Sequence, residues 1–256
     1  DLNTDPAYRK EGPLGVALER FEPRVATCSP LDGSREAARA ADLTNFFVER
    51  SAEILDASEV NRRRRAAGSM PGNVILTRDG GDTRPALQPI RERFGLGWGC
   101  FVEMPVERGI ARVLGMETVD VPRLASAEDY GVWAELAADA VHEFEAVYVH
   151  LKGPDVRAHD GRGADKRDVI SLIDRAFFAE VLPRLDLRET VVAVTADHST
   201  SCARKAHTAD PVPLVVRGAG VSPDGCGAFG EREAATGALG ALRGVDILPR
   251  LLPLLA

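Results

Sequence analysis

Two hydrophobic periods alternate along this chain. Between residues 35 and 56 the apolar positions Ala38, Ala41, Phe46, Phe47, Ile54 and Leu55 recur every three to four residues, with charges between them. That spacing predicts an amphipathic helix with Ser34 as its N-cap. Asn61-Arg-Arg-Arg-Arg65 and Gly68 follow, then Pro71-Gly-Asn-Val-Ile-Leu76, a turn feeding a strand that Gly80-Gly81 ends. Residues 85–94 read as a short helix stopping near Gly95, and residues 1–33 carry turn residues with little periodicity. Beyond about residue 97, strands and helices take turns. Strands are expected at 98–102, 117–121, 146–151, 191–196 and 212–216. Helices are expected at 106–114, from the Ser126 cap to about 143, at 164–182, and from Val245 to the end, the last packing on the sheet. A parallel α/β layer is the natural solution to such alternation.

One run organises the rest. Val191-Val-Ala-Val-Thr-Ala196 is uncharged and largely β-branched, and it is followed at once by Asp197-His198. This reads as a buried strand of a parallel sheet whose carboxyl end opens onto a site, where open α/β sheets bind ligands. Ala146-Val-Tyr-Val-His-Leu151 leads likewise into Lys152-Gly-Pro-Asp155 and His159, and Val212-Pro-Leu-Val-Val216 follows His207. Three segments thus carry Asp and His toward one sheet edge. Asp155 and His159 are four residues apart, so one helical turn puts them on the same side. Carboxylate and imidazole ligands without cysteine suit Zn or Mn. Two such ions about 3.5–4 Å apart can clamp the attacking and leaving oxygens of a phosphoryl group. Taken singly, Asp-x3-His is usually a surface or capping pair, and Asp-His is often an N-cap beside a satisfied imidazole. The combination at three strand ends is the specific signal. His142, read as lying in a helix, and His150, read as lying inside a strand, are expected to be structural.

Composition narrows the picture further. The 256 residues suit one large or two modest domains, and 45% hydrophobic content supports a core. A net charge of −7 argues against general nucleic-acid or membrane-surface binding. There is no apolar stretch of about 18 residues and no signal-peptide pattern at the start. Cys28, Cys100, Cys202 and Cys226 are scattered without a CxxC pair, which reads as reduced thiols in a cytoplasmic protein. Three of the four lysines (152, 166 and 205) share a third of the chain with the Asp/His cluster. Either an Arg-rich genome or a use for compact ammonium groups near phosphate oxygens accounts for that placement. The Arg62–Arg65 run is either a solvated helix end or a phosphate or carboxylate clamp, and Asn61 and Asn73 tilt it toward the clamp. Asp1-Leu-Asn-Thr-Asp-Pro6, without an initiator Met, reads as the middle of a loop in a fragment or processed chain.

Together, Val149-His-Leu-Lys-Gly-Pro-Asp155, His159-Asp-Gly161, Lys166, Asp174, Thr195-Ala-Asp-His-Ser-Thr200, Cys202 and His207-Thr-Ala-Asp-Pro-Val-Pro213 resemble the archaeal-type cofactor-independent phosphoglycerate mutases of the alkaline phosphatase superfamily. Asp5-Pro6, Asn61, Arg64, Gly68, Asn73, Arg78 and Gly81 resemble that family's inserted substrate domain. The resemblance implies an α/β fold with an alkaline-phosphatase-like, largely parallel sheet sandwiched by helices. Residues 1–96 would be part of the inserted α+β substrate domain, and residues 97–256 the metal-binding core. It further implies two divalent ions, Mn or Zn, one on Asp155, His159 and His207 and the other on Asp197 and His198. Asn61, Arg64, Asn73, Arg78 and Lys152 would bind a small phosphorylated carboxylic acid. The family's nucleophilic Ser, a further metal-binding Asp and the first strand come from an N-terminal region with no counterpart here. A missing N-terminal segment or a partner chain is therefore implied.

The sequence also departs from the family pattern. Arg123-Leu-Ala-Ser126 replaces a Gly-Ala-Thr-Gly segment, Trp133 stands where a helix Lys is expected, Ala7 replaces a His, and Ser201 replaces a Pro. The expectation is a metal-dependent, 2,3-bisphosphoglycerate-independent phosphotransferase of the mutase type, acting in the cytoplasm on phosphoglycerate or a related acid. The alternatives are a related enzyme acting on a phosphonate in secondary metabolism, or an inert metal- or ligand-binding homologue. No nucleic-acid or membrane partner is expected, and self-association is left open.

Overall fold

A computed structural model describes residues 25–77 and 86–255. The chain divides into two compact units, Asp1–Pro85 and Ala86–Ala256.

The first unit contains α1 (Arg35–Asp56) and α2 (Glu59–Ala66). The Ser34 side chain accepts from Ala37 N and caps α1 as expected, and Ser58 does the same for α2 through Asn61 N. Residues 71–77 form no strand, contrary to expectation. Their backbone finds a side chain instead of a ladder. Gly72 N donates to Asn61 Oδ1 at 2.9 Å, and Asn61 Nδ2 donates to Gly72 O at 3.1 Å and to Leu55 O at 2.7 Å. The expected break at Gly80-Gly81 lies outside the described residues.

The second unit opens with α3 (Ile90–Phe94), β1 (Trp98–Phe101), α4 (Pro105–Val113), β2 (Glu117–Thr118), α5 (Ala127–Ala140) and β3 (Ala146–Val149). The three strands form a parallel sheet in the order β2-β1-β3, with Trp98 opposite Ala146 and Gly99 opposite both Val147 and Glu117. The core centres on α5. Tyr130, Trp133, Ala134, Ala137 and Ala138 pack with Phe101 of β1 and with Ile173, Phe177 and Val181 of the following helical segment. Trp133 is fully buried, and its indole N–H donates to Pro122 O at 2.8 Å. The residue standing in place of a family lysine is therefore core, not site. Trp133→Ala is expected to cost about 3–5 kcal/mol, the usual range for truncating a core aromatic, measurable as a lower midpoint in urea unfolding.

The next segment is α6 (Pro154–His159) and α7 (Gly163–Ile173), which continues through a π-helical turn at Asp174–Phe178 into α8 (Ala179–Val181). An unbroken α-helix was expected here. The buried residues Ile173, Phe177 and Val181 repeat every four positions. That spacing drifts around a helix of about 3.6 residues per turn, and one wider turn reduces the drift.

Beyond α8 come β4 (Val191–Val194), β5 (Ser199–Ser201), β6 (Ala206–Thr208), β7 (Val215–Gly218), α9 (Glu231–Ala234) and α10 (Gly244–Leu251). The strand beginning at Val191 was expected to be parallel, but β4 pairs antiparallel with β7, with Val191 opposite Gly218 and Val194 opposite Val215. A parallel return needs a crossover of a dozen or more residues, usually helical. Here the connection is a hairpin of β5 and β6. The last strand starts later than expected because Pro211 and Pro213 have no N–H for a ladder. Expected to pack on the sheet, α10 carries no fully buried residue. All four cysteines are free thiols, in keeping with the reduced reading. Among the described residues, no helix is long and apolar enough to cross a membrane.

Candidate metal centre

The first candidate pair, Asp155 and His159, lies just past β3. His150 is the residue after the strand rather than inside it, and His142 lies past the end of α5 rather than within it. Gly153 has φ +134°, and a Cβ there would meet Val169 Cγ1 at 2.8 Å, so glycine is required for the turn. Tyr130 holds the same turn by donating its hydroxyl to Lys152 O at 3.0 Å. Pro154 then opens α6, and its single turn sets His159 Nε2 3.4 Å from Asp155 Oδ1.

The hairpin brings the third candidate ligand. Its register places Ser199 opposite Thr208, Thr200 opposite His207 and Ser201 opposite Ala206. His207 Nε2 thereby comes 3.6 Å from Asp155 Oδ1. Two side chains fasten the hairpin in place. Lys166 Nζ donates to Thr200 O at 2.8 Å, and Thr195 Oγ1 donates to Pro213 O at 2.9 Å. Ligand atoms of Asp155, His159 and His207 all lie within 4.8 Å of one another.

Asp197 and His198 form an adjacent group. His198 Nε2 is 3.3 Å from Asp197 Oδ2, and the His198 ring lies over that of His207 with centroids 3.7 Å apart. Three of the five expected metal ligands, Asp155, His159 and His207, are thus brought together by α6 and the hairpin, and the loop before β5 sets His198 beside His207 with Asp197 next to it.

The donor set fits a cation. His159 Nδ1 sits 3.0 Å from Lys205 O. A carbonyl can only accept, so Nδ1 carries a hydrogen, and whenever the ring is neutral its lone pair is on Nε2, the nitrogen on the Asp155 side. Lys205 has φ +54°, in the left-handed region, and this turn of the backbone aims its carbonyl at the ring. Burial pushes the Asp155 carboxyl up, but the Thr200 hydrogen bond and the positive charge that His159, His198 and His207 carry when protonated outweigh it and hold the group below the usual carboxylate value. An ionised oxygen facing two imidazole nitrogens is the electrostatic setting of a divalent-ion site.

The expected substrate contacts are placed less uniformly. Asn61 is 3% exposed and its amide is engaged by backbone, so it fastens the loop that carries Asn73. Arg64 is exposed and donates Nε to Met70 O at 2.8 Å, and Asn73 donates to Asp56 Oδ1 at 2.8 Å. Arg78 lies outside the described residues. Lys152, in the second unit, pairs with Glu107 Oε1 at 2.9 Å. Of the other two lysines, Lys166 anchors the hairpin, and Lys205 lays its side chain over Gly161. Two residues passed over in the sequence belong to this region. Glu107 gathers Lys152 and, at 3.5 Å, His150. Thr200 donates to Asp155 Oδ1 at 2.7 Å. Glu107 has no sequence signal, since it precedes Lys152 by more than a whole βαβ step. Thr200 closed the motif Thr195–Thr200, two residues past His198, but only the hairpin register shows what it faces.

The chain belongs to the metalloenzyme superfamily, whose family model matches residues 65–252. Membership implies binding of divalent metal, and the structure is the α/β, alkaline-phosphatase-like arrangement of a parallel sheet flanked by helices. Within that class it is similar to proteins named 2,3-bisphosphoglycerate-independent phosphoglycerate mutase. The Aeropyrum pernix relative is 40% identical over 260 residues, covering 99% of this chain and 61% of its own length. The Methanoculleus marisnigri relative is 38% identical over 250 residues, covering 94% and 59%. Among solved structures, a cofactor-independent phosphoglycerate mutase from Thermoplasma acidophilum is 30% identical with a TM-score of 0.53, covering 93% of this chain and 58% of that one. A Pyrococcus horikoshii protein is 32% identical with a TM-score of 0.73, covering 87% and 59%. The chain thus spans about three-fifths of the length of the relatives it matches.

Proposed function

We propose that this chain is the C-terminal part of a metal-dependent phosphotransferase that interconverts 3- and 2-phosphoglycerate without 2,3-bisphosphoglycerate, in cytoplasmic glycolysis. The observation that carries this reading is the convergence of Asp155, His159 and His207 beside Asp197 and His198. Asp155, His159 and His207 would hold one ion, and Asp197 and His198 the other, with Mn or Zn suited to these oxygen and nitrogen donors. Bound there, the ions would supply charge to polarise phosphoryl oxygens and to activate a hydroxyl nucleophile. The rest of the reading concerns this chain's own groups. Lys152, held by Glu107, contributes an ammonium for phosphate at the end of the parallel sheet. Arg64, Asn73 and Arg78 of the substrate-domain portion, residues 1–96, are the residues suited to bind a carboxylate or phosphate, and Asn61, through its hydrogen bonds to Gly72, holds the loop that carries Asn73. Residues 97–256 would be the metal-binding core, within the unit that begins at Ala86. The serine nucleophile comes from the part of the relatives' length that this chain does not span. A strand from that same part pairs with the outer edge of β3, which has no neighbour on that side among the described residues.

A second reading concerns the substrate. The buried Trp133 cannot serve as the family's lysine does, which favours a phosphonate or another phosphorylated carboxylic acid. Assay of the full-length protein with Mn²⁺ or Zn²⁺ separates the two. Conversion of 3-phosphoglycerate to 2-phosphoglycerate is the expected result. Metal-dependent turnover of a phosphonate with none of phosphoglycerate would move the assignment to the second reading.

A further inference from the structure

We infer that the Thr200 hydroxyl is a positioning group that fixes Asp155 at one metal position and the imidazole tautomer of His198 at the other, so that a single hydrogen couples the two. The inference rests on the two-metal reading proposed above.

A hydroxyl has one hydrogen to give and two lone pairs to receive with. Thr200 Oγ1 has two partners, Asp155 Oδ1 at 2.7 Å and His198 Nδ1 at 3.1 Å. An ionised carboxylate only accepts, so the Thr200 hydrogen goes to Asp155. What remains for His198 is a lone pair, so Nδ1 must bring the hydrogen to that contact. Whenever the ring is neutral, its other nitrogen, Nε2, is then the lone-pair nitrogen, and it faces Asp197 Oδ2 at 3.3 Å. Two electron-pair donors are left facing each other, the arrangement that a cation satisfies. The same Asp155 oxygen that Thr200 holds faces His159 and His207. One hydroxyl therefore prepares both positions.

Thr200 is well suited to the task. It is 5% exposed, so water cannot readily replace either partner. Its backbone is held opposite His207 in the hairpin and by Lys166 at its carbonyl. Groups that orient metal ligands typically cost about 10–100-fold in metal affinity when removed. Valine copies the shape of threonine without the hydroxyl, and serine keeps the hydroxyl.

The test uses the full-length protein, Mn²⁺ titration by calorimetry and ¹⁵N spectra of the histidine rings after chelation. In the unsubstituted protein His198 is expected to carry its hydrogen on Nδ1. Thr200→Val is expected to lower Mn²⁺ affinity about 10–100-fold and to release His198 into a mixture of tautomers, whereas Thr200→Ser keeps both properties. Hydrogen on Nε2 of His198 in the unsubstituted protein would overturn the inference. So would unchanged affinity in Thr200→Val, or a serine variant as impaired as the valine one. If Thr200→Val does not fold, the unsubstituted tautomer and the serine variant still decide. If the unsubstituted protein binds no Mn²⁺, the two-metal reading fails by itself, and the His198 tautomer separately decides the role of Thr200.

Discussion

His207→Ala is expected to lower divalent-metal affinity by more than about 100-fold, because removing a ligand costs more than removing a group that only orients one. The triad of Asp155, His159 and His207 would be left with two members on one short helix. Metal that binds only the folded state stabilises it by about 2.7 kcal/mol at one hundred times its Kd. Added Mn²⁺ should therefore raise the melting temperature of the unsubstituted protein and leave that of His207→Ala nearly unmoved, while the two metal-free forms melt alike. Acid acts in the same direction, since imidazole must be neutral to bind metal. Affinity in the unsubstituted protein should fall as pH is lowered. An equal thermal shift in both proteins would remove His207 from the site.

A second large effect is expected from the residues 1–256 taken alone: no mutase turnover and no phospho-enzyme. Covalent phosphoryl transfer needs a nucleophile activated by metal or base. Two hydroxyls near the ligands already give their hydrogens to carboxylates, Thr200 to Asp155 at 2.7 Å and Thr208 to Asp210 Oδ2 at 2.7 Å. Adding the remaining segment found in the relatives, fused or as a separate chain, should restore both activities. Rapid-quench labelling followed by mass spectrometry checks this. A phosphoryl adduct on any side chain of the isolated 256 residues would point to a different nucleophile.

Much of the local structure could be read in advance, for reasons visible in particular residues. The Ser34 and Ser126 caps and the three-to-four spacing after Ser34 are short-range signals, and α1 and α5 begin where those signals stand. The candidate ligand residues could be picked out because metal chemistry restricts residue types, and Asp155 and His159 needed only one helical turn to meet. Strand direction was not legible. A β-branched run looks the same in either direction, and β4 is antiparallel because a hairpin rather than a helix fills its connection to β7. The role of Asn61 was hidden for a similar reason. Its amide closes a loop eleven residues away, and nothing in the Arg-rich segment around it reveals a buried side chain. Glu107 reaches Lys152 and His150 through the parallel pairing of β1 with β3, a contact that exists only once the sheet has formed.

The central proposal is that Asp155, His159 and His207 share one divalent ion. Anomalous diffraction at the zinc edge from crystals of the full-length protein loaded with Zn²⁺ tests it most directly. A peak bonded to Asp155, to Nε2 of His159 and to Nε2 of His207 is predicted. A fully loaded crystal with its zinc peaks elsewhere, and none among these three side chains, would contradict it.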